Sequence, residues 1–436
     1  MNARYILLAA MISLTGGRAM PRELSLKEAL VMAESHSHQL KAAKAEAEAF
    51  RQELKAATAE RLPTVSLSGV ASYKDEVPKL EIQLPTGQTF SRDFGFNETY
   101  QADLRLSLPL FAGGKISGGV ALAQAARDYH EALSRASLDE VLLVARVGYF
   151  SLYRANRLLA AAAAGLERAE IISRDVQSLF DAGAADSVDL LEVRLLLTDA
   201  RLRRRSAESM RRQCQIELAV MLGLDPSEEL AISFEPPPPS SPDSGFTAID
   251  EDKPELAAAS SAVRMSRQAL RLSRSSYFPT VVAFGGYSWG KPNIDPFHDE
   301  FNDYLTVGAT LSWSFNLGGR PIRSAAAAGH RLRTAEHQFN RTRERLERRG
   351  RVALENLRLT FDRFESASEN FETARDNYRL AGVKHRQGVL SSNRLLEIEA
   401  SLQETEASLA SARAEFYIIQ SQYYYEIGSR KLREGW

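Results

Sequence analysis

Two hydrophobic periods alternate along the chain. Over residues 25–61 apolar positions fall three to four apart (Leu26, Ala29, Leu30, Ala33, Leu40, Ala43, Ala47, Leu54), which predicts an amphipathic helix. Pro63 ends it, because proline offers no amide hydrogen to the helix ladder. The period then drops to two. Residues 64–68 and, more strictly, 100–108 alternate polar and apolar, the pattern of half-buried strands. The polar stretch between them, 74–98, carries Pro and Gly and reads as an exposed loop. Gly113-Gly114 closes the second strand, and the helical period returns from about 120 to 181. A helix of roughly 60 residues is ~90 Å long at 1.5 Å per residue. A second helix is predicted from 189 to about 222, stopped by Gly223 and, three residues on, by Pro226.

The same plan then runs again. Residues 235–242 (EPPPPSSP) form a linker. Beyond it come a helix (255–276), a strand (280–289) behind Pro279, a loop (290–303), a strand (305–313), Gly318-Gly319, a long helix (322–386) and a helix to the end. Gly113 to Gly183 and Gly318 to Gly388 are both separations of 70 residues, whereas the first strand-loop-strand unit is 11 residues longer. Residues 180–194 (FDAGAADSVDLLEVR) and 386–400 (RQGVLSSNRLLEIEA) match at an offset of 205. Each is a Gly stop followed by a polar helix start, the tip of a helical hairpin. The predicted divisions are a first repeat (20–224), a linker (225–253) and a second repeat with a C-terminal helix (254–436).

Composition narrows the function. Hydrophobic content of 44% and charged content of 25% belong to a folded chain. A net charge of -1 gives no basic excess for nucleic acid. The single cysteine, Cys214, excludes an intramolecular disulfide and a cysteine-cluster metal site, and reads as a buried thiol without a special role. Arg4, an apolar run at 5–14 and Gly17-Arg18-Ala19 read as a cleaved export signal, residues 1–19. That run is shorter than the ~20 residues a spanning helix needs, and no later stretch reaches that length. A membrane-crossing part must therefore be β. His36 and His38 read as a surface pair rather than a metal site, and the chain holds neither HExxH nor GxSxG. No enzyme, cofactor or metal is predicted. The basic runs 201–205 and 341–351 lie in helical sequence and read as solvated or subunit-facing.

The strands carry the membrane argument. Gln101, Asp103, Arg105 and Ser107 share one face, as do Thr306, Thr310 and Ser312; Leu104, Leu106, Leu108, Val307, Leu311 and Trp313 share the other. Strands of about 9–11 residues match a bilayer crossing. Four are too few to close a barrel, and hydrocarbon leaves no partner for an open sheet edge. Oligomerisation then becomes a requirement, with the polar residues lining a watery interior and the apolar ones facing lipid. A soluble half-exposed sheet is the alternative, supported by weak alternation at 281–286. The Ala-rich long helices suit either a coiled-coil rod or the staves of a helical barrel.

The duplicated order of helix, strand, loop, strand, long helix, Gly tip and return helix resembles the TolC-type outer-membrane efflux protein family. The resemblance covers about residues 24–428. It is carried by LPTVSLSG (62–69) with FPTVVAFGG (278–286), LSLPLFAGGKI (106–116) with LSWSFNLGGRPI (311–322), the paired tips and YYYEIG (423–428). It implies a mainly α protein with a membrane β-barrel portion: a homotrimer whose twelve-stranded barrel in the outer-membrane lipid continues as a twelve-helix tunnel into the periplasm. It also implies a periplasmic adaptor and an inner-membrane pump as partners, no cofactor, and a conduit that performs no chemistry. A secreted or periplasmic coiled-coil scaffold is the other reading of the helices.

In the family the tips form a periplasmic entrance that opens when the adaptor docks. An acidic residue commonly lies six after the tip Gly; Asp189 matches in the first repeat, but Arg394 stands in the second. Glu192 and Glu397 lie nine after it in both. The resemblance thus makes Asp189, Glu192, Arg394 and Glu397 the gate residues. Asp189 and Arg394 either pair across neighbouring hairpins as a latch or are two solvated charges. Gly183, Ala184, Ala185, Gly388, Val389 and Leu390 are the expected adaptor-docking tips, and Gln101, Asp103, Arg105, Thr306 and Thr310 the expected barrel lumen.

Overall fold

Local capping chemistry sets most element boundaries. The structure is a computed structural model that describes residues 22–93, 95–232, 235–242, 245–246, 248–295 and 298–434; the expected export signal lies outside them. A short strand, β1 (Arg22–Leu24), leads to Ser25, whose Oγ accepts the Glu28 amide while Glu28 Oε2 accepts the Ser25 amide. That reciprocal pair starts α1 (Leu26–His36). Ser37 leaves helical geometry (φ -53°, ψ 114°) and accepts the Leu40 amide, so the single helix predicted over 25–61 is two, α1 and α2 (His38–Ala59).

Strand β2 (Thr64–Tyr73) follows. The loop predicted at 74–98 holds a two-stranded ribbon, β3 (Lys79–Gln83) with β4 (Thr89–Asp93). Its alternation is short, Ile82 opposite Phe90, and Pro85 and Gly87 in the connecting turn mask it in composition. Then come β5 (Glu98–Phe111), α3 (Lys115–Asp181), α4 (Ser187–Leu222), β6 (Leu230–Ile232), α5 (Pro254–Ser275), β7 (Thr280–Lys291), β8 (Asn302–Ser312), α6 (Arg320–Arg386) and α7 (Ser392–Ile427). Helices α3 and α6 have 67 residues each, α4 and α7 have 36 each, and both pairs are offset by 205. At 1.5 Å per residue the long helices measure ~100 Å. Each of the four ends in a left-handed glycine: Gly183, Gly388, Gly223 and Gly428 lie at φ 71–74°. At each, the following amide reaches back five residues, as Ala184 does to Leu179 and Val389 to Lys384. The length duplication seen in the sequence is thus a duplication of helix stops.

The chain divides into two compact units. One comprises residues 44–132 and 256–341 and holds the antiparallel sheet β2-β5-β7-β8. All four strands join helices at one end and loops at the other. Gly113, at φ 61°, lies where a Cβ would stand 2.7 Å from both Phe278 Cβ and the Ser275 carbonyl oxygen. This close approach is why the strand-end turn needs glycine.

The other unit comprises residues 1–43, 133–255 and 342–436. Its main core joins Leu26 and Leu30 of α1, Tyr149, Phe150 and Leu152 of α3, Leu218 and Leu222 of α4, and Phe416 and Tyr417 of α7. Each such side chain contributes ~1.5–3 kcal/mol when fully buried. β1 pairs in parallel with β6, a ladder that the sequence reading did not anticipate because three residues carry no period. Two buried cations fasten the chain end. Lys253 Nζ donates to the Tyr425 and Glu426 carbonyls at 2.7 and 2.8 Å, and Arg146 donates to those of Lys431 and Leu432 at 2.7 and 2.9 Å. The carbonyls of a helix terminus carry partial negative charge, which offsets part of the cost of burying each cation. Burial still draws Arg146 down to about 10. Cys214 packs on this core, and burial pushes its thiol up.

Gly113→Ala puts a methyl against backbone and a Cβ, neither of which can swing away. The substitution is expected to cost about 2 kcal/mol or more, read as a lower denaturation midpoint in detergent.

Candidate functional site

Residues directly opposed in an antiparallel ladder share a face of the sheet. The register therefore sorts the strand residues. Ser66, Arg105, Gly286 and Thr306 form one cross-strand row, and Ser68, Asp103, Ser288 and Tyr304 the next on the same face. Gln101 and Thr310 lie on that face too, opposite Gly290 and Val282. All five residues expected to line a lumen thus share one side of one sheet. Gln101 Nε2 donates to Asp103 Oδ1 at 3.0 Å, and the Arg105 guanidinium lies 5.8 Å from the centre of the Phe284 ring.

The opposite face holds rows of Leu67, Leu104, Tyr287 and Leu305, and of Val65, Leu106, Gly285 and Val307. It is bare: Leu67 and Val307 are each 77% exposed. The weak alternation at 281–286 has a packing cause. Phe284 sits on the polar side and covers Gly308, where a Cβ would stand 2.9 Å from its Cζ. β2 and β8 are the two edges of this sheet, which within one chain is open. Among the described residues no helix is long and apolar enough to cross a membrane.

The hairpin tips belong to the other unit. In the first, Asp186 caps α4 by accepting the Val188 and Asp189 amides at 2.7 and 3.0 Å. Asp189 Oδ2 returns to the Asp186 amide at 3.3 Å, so the expected gate carboxylate is also the third residue of a capping box. The predicted start of α4 at 189 moves to Ser187 for this reason. In the second tip Ser391 caps α7, and Arg394 cannot return the bond. Its Nη1 instead meets Glu397 at 2.5 Å. Among the described residues no ion pair joins Asp189 to Arg394. Glu192 is half-buried on α4, one turn beyond the cap.

Gly183, Ala184, Gly388 and Val389 are exposed, Ala185 is half-exposed, and Leu390 turns inward. Leu390 packs on Ile172 and Val176 of α3, Val193 of α4, Ala381 of α6, and Leu395 and Ile398 of α7. The two hairpins therefore share a small core behind their tips. His385 is buried here, with Nδ1 2.9 Å from the Leu390 carbonyl oxygen and no hydrogen bond at Nε2. Sequence reasoning missed it, since nothing in its neighbours signals burial. The histidines it did weigh stand apart from this site: His36 lies against Gly223 and edge-on to His38, 5.6 Å away.

Sequence reasoning also missed a charged cluster between α3 and α7. Arg168 Nε lies 3.0 Å from both oxygens of Glu399, and its Nη2 lies 3.1 Å from Glu406. Arg203 donates to Gln403 at 3.0 Å beside it. Glu399 is 1% exposed, and burial pushes its carboxyl up to about 7 although Arg168 pulls it down. The partners lie 231 residues apart, so no local spacing announces the pair.

A family model for the outer membrane efflux protein matches residues 29–224 and 248–424, most of the chain and both of its repeats. The chain belongs to the outer membrane efflux protein family. No curated protein matches this efflux protein. Solved structures share its fold. They include the outer membrane protein VceC from Vibrio cholerae, at 17% identity and a TM-score of 0.77, covering 93% of this chain and 96% of that one. The Campylobacter jejuni CmeC outer membrane channel aligns at 16% identity and 0.75, covering 92% and 85%. The open state of the Neisseria gonorrhoeae MtrE outer membrane channel aligns at 17% and 0.72, covering 93% and 89%. The efflux protein is thus an outer-membrane efflux channel by family, and its sheet and helical hairpins are those of a channel fold. The family is one of channels rather than enzymes.

The Glu399 carboxyl gives the efflux protein a pH dependence of known sign. Folding raises it from 4.5 to about 7, so its contribution is present below 4.5 and lost as pH rises through about 7. Between pH 5 and 8 the native protein should lose about 2–3 kcal/mol of stability relative to Glu399→Gln, measured by denaturant unfolding at both pH values.

Proposed function

We propose that three copies of this chain pool their strands into a twelve-stranded barrel in the outer membrane, forming a passive conduit whose helices make a tunnel in the periplasm. One observation carries the reading: a four-stranded sheet with one bare apolar face, one polar face and two unpaired edges. In hydrocarbon the edge amides and carbonyls of β2 and β8 need partners, and another copy's edge supplies them. The apolar rows then face lipid, while Gln101, Asp103, Arg105, Thr306 and Thr310 line the interior. Trp289 stacked on Phe301 at 4.5 Å at one strand end, and Trp313 beside Phe315 at 4.6 Å past the other, suit the two interfacial aromatic belts of a membrane barrel. The chain is made with a leader at 1–19, and its repeats span 20–224 and 254–436 about the linker at 225–253.

On this reading a periplasmic adaptor docks at Gly183, Ala184, Ala185, Gly388, Val389 and Leu390, and an inner-membrane pump supplies the energy. Asp189, Glu192, Arg394 and Glu397 surround the entrance. Asp189 and Arg394 of neighbouring hairpins bias it closed; each exposed pair contributes only ~0–1 kcal/mol, but symmetry multiplies it. Arg394 is exposed and Asp189 half-exposed within one chain, which leaves both within reach of a neighbour.

Leu106→Lys places a charge on the lipid face and should cost about 2–4 kcal/mol near the bilayer centre, read as loss of the protein from outer-membrane fractions. Thr306→Lys, on the other face, should insert normally and shift bilayer single-channel selectivity towards anions. Equal insertion defects in both variants, or a soluble periplasmic monomer, would overturn the barrel. Arg394→Ala should raise the open probability of single channels, and unchanged gating removes the latch.

A further inference from the structure

Helix α5 carries its charge on one line. Between Ser261 and Ser275 the exposed residues are Arg264, Arg267, Arg271 and Arg274, and no others. Steps of three, four and three residues put all four on one face of a helix. Other faces of α5 are taken up by its own chain. Leu272 packs on Gly118 of α3, and Ser273 Oγ lies 3.0 Å from Ser324 Oγ of α6. No acidic residue stands between Glu255 and Asp295, so nothing beyond the first turn of α5 offsets its arginines.

The four arginines are not alike. Arg264, farthest from the sheet, meets Asp128 Oδ2 at 3.0 Å and Ser261 Oγ at 2.8 Å. Arg271 meets only the neutral Gln268, at 3.3 Å, and among the described residues no carboxylate pairs with Arg267, Arg271 or Arg274. Those three lie nearest β7, which starts six residues after Arg274, and they span about 10 Å at 1.5 Å per residue. The first repeat differs. At the same distance before Pro63, 216 residues earlier, stand Glu48, Arg51, Lys55 and Thr58, and Arg51 is paired with Glu48 and Glu131 at 3.2 and 2.8 Å. Apolar side chains gather at the joint that follows α5. Trp313 Nε1 donates to the Tyr277 carbonyl at 3.3 Å, and the Tyr277 hydroxyl donates to that of Pro321 at 3.2 Å. Phe278, Phe315, Leu317 and Ile322 are all more than half exposed there.

We propose that Arg267, Arg271 and Arg274 form a binding surface for anionic phospholipid headgroups in the leaflet at the helical end of the sheet. The inference rests on the barrel reading, which puts that end at the periplasmic side of the membrane, and adds the class of lipid this chain selects there. Guanidinium groups give two parallel hydrogen bonds to phosphate oxygens and stay charged throughout the accessible pH range. Arg274 stands nearest the headgroups, and the arginines below it extend towards them on their aliphatic stems. The exposed rings at the joint suit the boundary where acyl chains begin. A zwitterionic headgroup also carries phosphate, but its cation meets a face that holds no acid, so the surface discriminates by net charge. Each cation near an anionic bilayer surface strengthens attachment roughly fivefold.

Native mass spectrometry of the full-length protein, extracted in detergent and offered dioleoyl phosphatidylglycerol or dioleoyl phosphatidylcholine, tests this. The native oligomer should retain phosphatidylglycerol roughly tenfold better than phosphatidylcholine, or more. Arg267→Gln, Arg271→Gln and Arg274→Gln together should remove that preference, and Arg274→Gln alone should lower it roughly fivefold. Lysine at the same three positions should keep most of it. Removing equal charge from α4, by Arg201→Gln, Arg205→Gln and Arg212→Gln, should leave it unchanged. No preference in the native protein, a preference that survives the α5 substitutions, an equal loss in the α4 variant, or displacement of the lipid by excess inorganic phosphate overturns the lipid surface and leaves the barrel standing. A monomer by mass that is absent from outer-membrane fractions overturns both.

Discussion

An unpaired sheet edge is the constraint on which the rest of this structure depends. β2 and β8 each present a row of backbone donors and acceptors that water satisfies and hydrocarbon does not. A chain with only four membrane-length strands cannot remove those edges by itself. The apolar rows through Leu67, Leu104, Tyr287 and Leu305 add a second demand, because a bare face of that kind is tolerated in lipid and hazardous in water. In the proposed trimer, membrane and assembly meet two needs of the same sheet.

The helices obey a different economy. Equal lengths of 67 and 36 residues in both repeats follow from glycine stops at matched positions, since each stop is a backbone geometry that other residues adopt at a cost. Length is held there and varies instead in the loops, where the first repeat inserts the β3-β4 ribbon. Within equal lengths the surfaces differ. Helix α7 buries a carboxylate and three aromatic rings against its own chain, whereas α4 offers arginines and leucines to solvent.

Much of the architecture was legible in the sequence because it is written in periods and punctuation. The strand faces of 101–107 and 306–312 were readable from alternation, and the register left every expected lumen residue on one side. The hairpin tips were readable from glycine and the polar residues after it. The misses have physical causes. Ser37 breaks a helix without disturbing the apolar spacing around it, and the β3-β4 ribbon hides behind Pro85 and Gly87. β1 and β6 are too short for any period.

The sequence by itself determined the repeat, the sheet's two faces and the tips, because each depends on residues close together in the chain. Only the tertiary structure decided which charges are buried. Glu399 reads as an ordinary surface carboxylate beside its neighbours, and it becomes a titrating group near neutrality because packing against α3 buries it, an effect that outweighs the downward pull of Arg168. Asp189 and Arg394 share a position in the repeat, yet one closes a capping box and the other turns to Glu397. The tip contacts are local, three residues apart in each case, whereas the fate of Glu399 depends on a partner 231 residues away that spacing along the chain cannot name.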